Sequence, residues 1–550
     1  MLPLLLLGAL VLTISGCAPK TPSGDYFITP VPFTSVTVKD GFWTPRMETN
    51  RRVTIPYAFK MCEETGRINN FAVAGGMKKG SHTGYRFNDS DLYKVIEGAA
   101  YSLHLHPDPK LEAYVDSVID LIAAAQEKDG YLYTAKTAFD PDNPSVRVKD
   151  RWDNIQNDHE LYCAGHMYEA AIAYYHATGS RKLLDVAIRN ADLIDSVFGP
   201  QGLRYPPGHQ EIEIGLAKLY RETGEKRYLR LAKFFLDQRG DSTGHMLYGE
   251  YAQDHKPVTE QTEAVGHAVR AAYMYSGMAD IAALTGSKDY IQAIKTIWND
   301  VVGTKLYVTG GIGATGGNEG FGGPYNLPNS TAYCETCASI ANAMWNHRLF
   351  LMTGDAKYMD VVERIIYNSF LSGISMKGDR FFYDNPLASE TGKERSPWFS
   401  CACCPSNVVR FLPSLPGYIY GYRGRDIYVN LFISGEAEII IDDVPVRIIQ
   451  HSNYPWKGEI KLQIKPGAVM PLTLNIRLPG WAMNKPVPSS LYSFLSSDQS
   501  GIHLQVNGED VELDQEKGYA RVKRIWQVGD EMVLHLPVPI RRMTALDSVV

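Results

Sequence analysis

Two short cysteine clusters carry the densest chemistry in the chain: Cys334-Glu335-Thr336-Cys337 and, further along, Cys401-Ala402-Cys403-Cys404. Thiolates are soft ligands and a carboxylate can complete a tetrahedral zinc shell, so Glu335, Cys337, Cys403 and Cys404 offer four ligands. The two halves lie roughly 60 residues apart, beyond the gap of about 15–20 residues usual in zinc ribbons, so the fold must bring them together. Disulfides or free thiols are the competing reading, and a purely structural zinc is the plain form of the metal reading. Adjacent Cys403 and Cys404 are poorly placed to bridge each other, which favours ligation over stapling. A third piece, Gly316-Gly317-Asn318-Glu319, ends a glycine-rich run that starts at Gly310. Such a run can carry its carboxylate close to a ligand, and without a Lys-Ser/Thr ending or a preceding strand it is not a phosphate cradle. On residue type alone, Glu319 reads first as a solvated loop carboxylate.

The elements that must position these groups are helical. From about Tyr57 to Leu415 the apolar period is that of helices, and four segments share one punctuation: His176-Ala177-Thr178-Gly179, Arg221-Glu222-Thr223-Gly224, Ala283-Leu284-Thr285-Gly286 and Leu351-Met352-Thr353-Gly354. Each glycine can take the left-handed conformation that ends a helix before the next amphipathic run opens. The helices differ in kind. His159 to Ala177 has little charged surface, as expected for a helix buried on both sides, whereas Lys182 to Phe198 confines Leu184, Ala187, Ile188 and Ala191 to one stripe. Pairs of inner and outer helices repeated around a ring make an (α/α) toroid with a central cleft suited to a sugar; a helical solenoid is the alternative that periodicity leaves open.

After about Pro416 the period changes to two, as in Ile460, Leu462 and Ile464, and Val506-Asn507-Gly508-Glu509 has the form of a hairpin turn. An antiparallel β domain, read as a sandwich, is expected over 416–550, and Phe33 to Val38 has strand character that could join it. At the other end, Met1 to Gly16 is apolar but too short to cross about 30 Å of hydrocarbon. It reads as a signal peptide, although a basic start is missing. Ile14-Ser15-Gly16-Cys17 resembles a lipobox, which makes Cys17 a lipidated N-terminus and the only link to a membrane; a plain cleaved signal with an incidental Cys is the alternative. An exported, periplasmic or outer-membrane lipoprotein is therefore expected, with residues 17–35 as tether and N-terminal segment. With 55 Lys and Arg against 61 Asp and Glu, the net charge of −6 offers no basic footprint for nucleic acid. Hydrophobic residues at 45% exclude wholesale disorder. Oligomeric state is not legible.

The runs Ala332-Tyr333-Cys334-Glu335-Thr336-Cys337-Ala338-Ser339 and Trp398-Phe399-Ser400-Cys401-Ala402-Cys403-Cys404-Pro405-Ser406-Asn407 resemble glycoside hydrolase family 127, the β-L-arabinofuranosidases. Asp40-Gly41-Phe42-Trp43, Gly66-Arg67-Ile68-Asn69-Asn70-Phe71, Phe87-Asn88-Asp89-Ser90-Asp91 and His159 to His166 extend the likeness. The resemblance implies a mainly α protein, an (α/α)6 barrel over 36–415 with a β-sandwich, and a retaining exo-glycosidase acting on terminal β-L-arabinofuranosides of plant glycans. It implies Cys403 as a zinc-bound nucleophile, Glu319 as general acid/base, and Glu335, Cys337, Cys403 and Cys404 as zinc ligands. His159, His209 and His267 are similar to its pocket histidines, and Tyr383 is implied to position the nucleophile or the sugar. For any one histidine, a hydrogen-bonded structural role stands beside this. Members of the family usually continue through further strands beyond the point reached at Val550, so an incomplete sandwich is expected. Two rival functions stay open: hydrolysis of another pectic side-chain sugar on the same scaffold, and a noncatalytic glycan-binding lipoprotein with structural zinc.

Overall fold

A computed structural model of the protein describes residues 24–139, 142, 150–389 and 392–549. Met1 to Gly16, expected to be a signal peptide, and Cys17 lie outside the described residues. Among those residues, twelve helices have ten or more residues. In chain order they are α1 (Ile55–Glu64), α2 (Asp89–Leu105), α3 (Pro109–Ala125), α4 (Glu160–Thr178), α5 (Lys182–Val197) and α6 (Ile212–Thr223). They continue with α7 (Lys226–Asp237), α8 (Ala268–Thr285), α9 (Lys288–Asp300), α10 (Thr336–Thr353), α11 (Ala356–Tyr367) and α12 (Cys403–Ser414).

The even-numbered helices form the inner layer. Helix α2 packs on α4, then α4 on α6, α6 on α8, α8 on α10, α10 on α12, and α12 returns to α2, so the inner layer closes on itself. That closure makes a ring and excludes the open solenoid. It depends on Gly98 of α2, where a Cβ would stand 2.5 Å from the Val409 carbonyl oxygen of α12. The odd-numbered helices form the outer layer, each packed on an inner helix. Gly179, Gly224, Gly286 and Gly354 all end inner helices at φ between 68° and 76°, as the repeated punctuation predicts. Helix α4 is buried over fifteen residues, from Glu160 to Tyr174, whereas α5 buries one stripe.

The strands form a six-stranded and a seven-stranded sheet, with a further two-stranded pair. Buried residues alternate along Glu459–Pro466 as the period of two requires. Asn507 and Gly508, both at positive φ, turn the hairpin that pairs Val506 with Glu509. One expectation is corrected: Asp426–Val429 runs parallel to Met470–Arg477. The intervening chain lays three strands into the other sheet before it returns, and such a crossover permits parallel pairing. Val36–Val38 does join the seven-stranded sheet, beside Gly435–Ile441, and Thr29–Pro30 joins the six-stranded one. Fully buried Arg477 ties this β body to the ring through Asp360 and Glu363 of α11.

Candidate active site

Two helix starts meet at the mouth of the ring. Glu335 is the residue before α10 and Cys337 lies in its first turn, while Cys403 and Cys404 open α12. Unpaired N–H groups at helix starts favour negative charge, so both ligand pairs stand where anions are stabilised. The four ligand atoms lie within 4.8 Å of one another. Cys337 Sγ is 3.4 Å from Cys404 Sγ, which is 3.9 Å from Cys403 Sγ; Glu335 Oε1 is 3.5 Å from both Cys403 and Cys404. Sulfurs sharing one tetrahedral zinc stand about 3.8 Å apart, so the spacing fits an ion. All seven cysteines in the described residues are unbridged, and Cys334, although in the same motif, turns away to pack against Gly311.

The electrostatics point the same way. Burial first, then the neighbouring Cys403, pushes the Glu335 carboxyl well above its ordinary range. Its Oε2 is buried without a hydrogen-bond partner. Burial would raise Cys337 too, but hydrogen bonds from Cys403 and Cys404 bring it down to about 7, while burial and the Cys337 hydrogen bond raise Cys404. Four such groups can be ionised together only beside a cation, so the donor set fits a thiophilic divalent metal.

Sequence-distant residues hold this cluster in place. Arg67 donates to Asp91 at 2.9 Å and to the Ser400 carbonyl at 2.8 Å, and Ser406 Oγ of α12 donates to Asp91. Lys94, wholly buried on α2, lies 3.5 Å from Asp91 and donates to Tyr162 Oη at 3.3 Å. Tyr383 Oη stands 3.2 Å from Cys403 Sγ and 3.4 Å from Cys401 Sγ. Its backbone carbonyl accepts from Thr336 N, so the tyrosine is fixed to the start of α10.

Glu319 sits on a tight loop closed by reciprocal hydrogen bonds between Thr315 and Gly320, with its own backbone in the left-handed region at φ 51°. The neighbouring Gly320 bridges to His267. His267 Nδ1 accepts from Val269 N, so Nε2 carries the proton and donates to Glu319 Oε2 at 3.0 Å. Tyr333 Oη donates to Oε1 at 2.8 Å. The His267 hydrogen bond, outweighing burial, holds the Glu319 carboxyl below its ordinary value. The Tyr333 ring lies 6.3 Å from that of Tyr383, so a chain of two tyrosines links Glu319 to Cys403.

His159, His209 and His267 form one wall, with ring centroids 5.7 and 5.6 Å apart in that order. Nδ1 of His159 faces the Asn157 carbonyl at 2.9 Å and that of His209 faces the Gln210 carbonyl at 2.8 Å. Both Nδ1 atoms therefore donate, and each Nε2 offers a lone pair to a hydroxyl. Burial, then the Arg270 charge, keeps both rings neutral. His267 differs, because both of its nitrogens are already engaged.

The structure thus brings together Glu335, Cys337, Cys403, Cys404 and Tyr383 in one cluster, and His159, His209, His267 and Glu319 in an adjoining wall. Sequence reasoning missed Tyr333, Lys94 and Arg270. A signal existed for Lys94, a lone charge in the apolar run Leu92-Tyr93-Lys94-Val95-Ile96, and for Tyr333, two residues before Glu335.

Known proteins share both bodies of this fold. The family model described as β-L-arabinofuranosidase, GH127 catalytic domain, matches residues 35–417, and that of the GH127 middle domain matches residues 426–538. A non-reducing end β-L-arabinofuranosidase of Bifidobacterium longum subsp. longum is 34% identical over 558 residues, covering 88% of this chain and 82% of the relative. A solved GH127 β-arabinofuranosidase is 49% identical, with a TM-score of 0.92 over 96% of this chain and 83% of its own. A GH127 β-L-arabinofuranosidase from Geobacillus stearothermophilus T6 is 39% identical, with a TM-score of 0.86 over 94% of this chain and 83% of its own. Matched through the helical ring and the β body alike, the chain is a glycoside hydrolase and belongs to glycoside hydrolase family 127.

Proposed function

We propose that the protein is a retaining β-L-arabinofuranosidase that removes terminal sugars from plant glycans, with Cys403 as nucleophile and Glu319 as general acid/base. One observation carries the reading: of the four clustered ligands, Glu335, Cys337 and Cys404 are buried and Cys403 is partly open. An accessible sulfur held among inaccessible ones is placed to react rather than only to ligate.

Zinc held by Glu335, Cys337, Cys403 and Cys404 would supply the charge that keeps Cys403 a thiolate at neutral pH. Cys403 Sγ attacks the anomeric carbon while Glu319 gives its proton to the leaving oxygen, which forms a thioglycoside and frees the alcohol. Glu319 then takes a proton from water, the water oxygen attacks the anomeric carbon, and the thiolate leaves. Two displacements retain the configuration. In the free site the His267 and Tyr333 hydrogen bonds hold Glu319 ionised, the form that the second step uses; desolvation by the bound sugar raises it for the first. Tyr383 orients the sulfur, and His159 and His209 accept from sugar hydroxyls.

The test combines zinc content with release of L-arabinose from a β-L-arabinofuranoside, on wild type and Cys403→Ser. Bound zinc with turnover abolished in a folded variant is expected. Wild-type rates in Cys403→Ser would sink the mechanism, and zinc without arabinose release would move the glycone to another pectic sugar. In the same proposal, Met1 to Gly16 exports the protein and Cys17 anchors it by lipid. Labelling with a radioactive fatty acid that disappears in Cys17→Ala checks this.

A further inference from the structure

A cleft of about 420 Å³ is lined by residues that include Glu250, Tyr251, Glu263, Asn318 and Phe321, the last two flanking Glu319 and Gly320 in the chain. Its walls adjoin both strands of the bridge between His267 and Gly320, since Gly266 and Phe321 also line it and Phe321 N donates to the Gly266 carbonyl. We propose that this cleft, with Tyr251 as its platform, is the subsite for the leaving sugar, the residue attached through the scissile oxygen, and that it takes a neutral pentose or hexose. The proposal rests on the reading of Glu319 as the acid that protonates that oxygen.

Tyr251 is 43% exposed, yet its ring and backbone both have partners. The Arg270 guanidinium lies 4.6 Å from its ring centroid, the His267 ring 5.7 Å away, and His267 N donates to its carbonyl. The turn that presents it is built on wholly buried amides. Gln253, at φ 55°, donates to the Val265 carbonyl at 2.8 Å, and Gln210 donates at 2.9 Å to both Gln253 Oε1 and the Ala252 carbonyl. A backbone in the left-handed region and buried polar groups are costly, and here they fix an aromatic face that is left open to solvent. Such a face, joined to the catalytic acid through the His267 ring that both touch, suits the C–H face of a sugar ring, with the Asn318 amide nitrogen and Glu250 offered to its hydroxyls. Charge sets the class. Glu250 and Glu263 line the cleft, and its Lys305 is committed to Asp300 at 2.9 Å, to the Ala264 carbonyl at 2.7 Å and to Glu263 itself at 3.7 Å. A uronate would meet the Glu250 carboxylate there.

The experiment compares kcat/KM on methyl β-L-arabinofuranoside with that on two disaccharides bearing the same glycone, one with a neutral pentose and one with a uronic acid as leaving group. Tyr251→Ala is expected to lower the rate on the neutral disaccharide about tenfold and to leave the methyl glycoside within about threefold. Wild type is expected to prefer the neutral disaccharide over the uronate, and Glu250→Gln to narrow that preference. Equal loss on both neutral substrates would assign Tyr251 to holding His267, and no loss on either would leave it idle; each overturns the subsite. A wild type that cleaves none of them refutes the arabinofuranoside reading alone, and the same leaving groups on the glycone it does cleave then decide the subsite by the same ratio.

Discussion

At the mouth of the ring, Glu335 stands among three thiols; in its middle, Glu169 and Glu211 stand with His166. Each group gathers metal-ligand atoms within 4.8 Å of one another, and each is buried apart from Cys403. What separates them is the charge around them. Glu169 meets Arg410 at 2.6 Å and Lys218 at 2.5 Å, and Arg410 also meets Glu97 at 2.9 Å. Against burial, those cations hold Glu169 low, while burial and Glu169 push Glu211 up so that it keeps its proton. The middle cluster is therefore neutralised from within. At the mouth no cation touches Glu335 among the described residues, and the nearest buried one, Lys94, is itself tied to Asp91. Ligand types at ligand distances are common to both; the one without its own paired cations, and with thiols among its donors, is the one suited to a metal.

Substitutions at the two clusters should have opposite signatures. Glu335→Ala is expected to lose bound zinc and about 1000-fold in activity, read by metal content and sugar release. Arg410→Met leaves Glu97 and Glu169 buried without their shared partner, so it should lower unfolding free energy by about 3 kcal/mol in denaturant titration with zinc per chain unchanged. Loss of zinc in that variant would break the distinction.

A buried group outside both clusters calibrates them. Burial holds His82 down at about 4, below the 6.5 of a free imidazole. Its folded state binds the proton less well than the unfolded chain, so the contribution is present above pH 6.5 and lost as pH falls towards 4. At pH 5 the loss is about 2 kcal/mol, visible as a lower Tm that His82→Gln should flatten against pH. The smallest effect is expected at Tyr333→Phe, about tenfold in kcat/KM. Removing a hydrogen bond to the carboxylate raises Glu319, so the alkaline limb of the pH profile, where the acid is lost, should move to higher pH.

What could be read in advance follows from how local each signal is. Helix ends at Gly179, Gly224, Gly286 and Gly354 are set by backbone sterics within one turn, and the four ligands are marked by rare side chains in short motifs. Ring closure was legible only through the family resemblance, because periodicity does not see Gly98 meeting Val409, a contact between the two ends of the helical region. The parallel pairing of Asp426–Val429 likewise depends on a crossover through another sheet. The roles of His159 and His267 differ in what their ring nitrogens face, which residue type does not reveal.

The early strands Thr29–Pro30 and Val36–Val38 pair with Tyr420–Arg423 and Gly435–Ile441, on the far side of the whole ring. A chain emerging from a ribosome or a translocon therefore carries edges that must wait for partners several hundred residues behind them, and loop closure of that span is slow. The two halves of the ligand cluster wait as well, since α12 both supplies Cys403 and completes the ring. Catalytic competence should thus appear late and all at once in refolding, after most of the helical signal has returned.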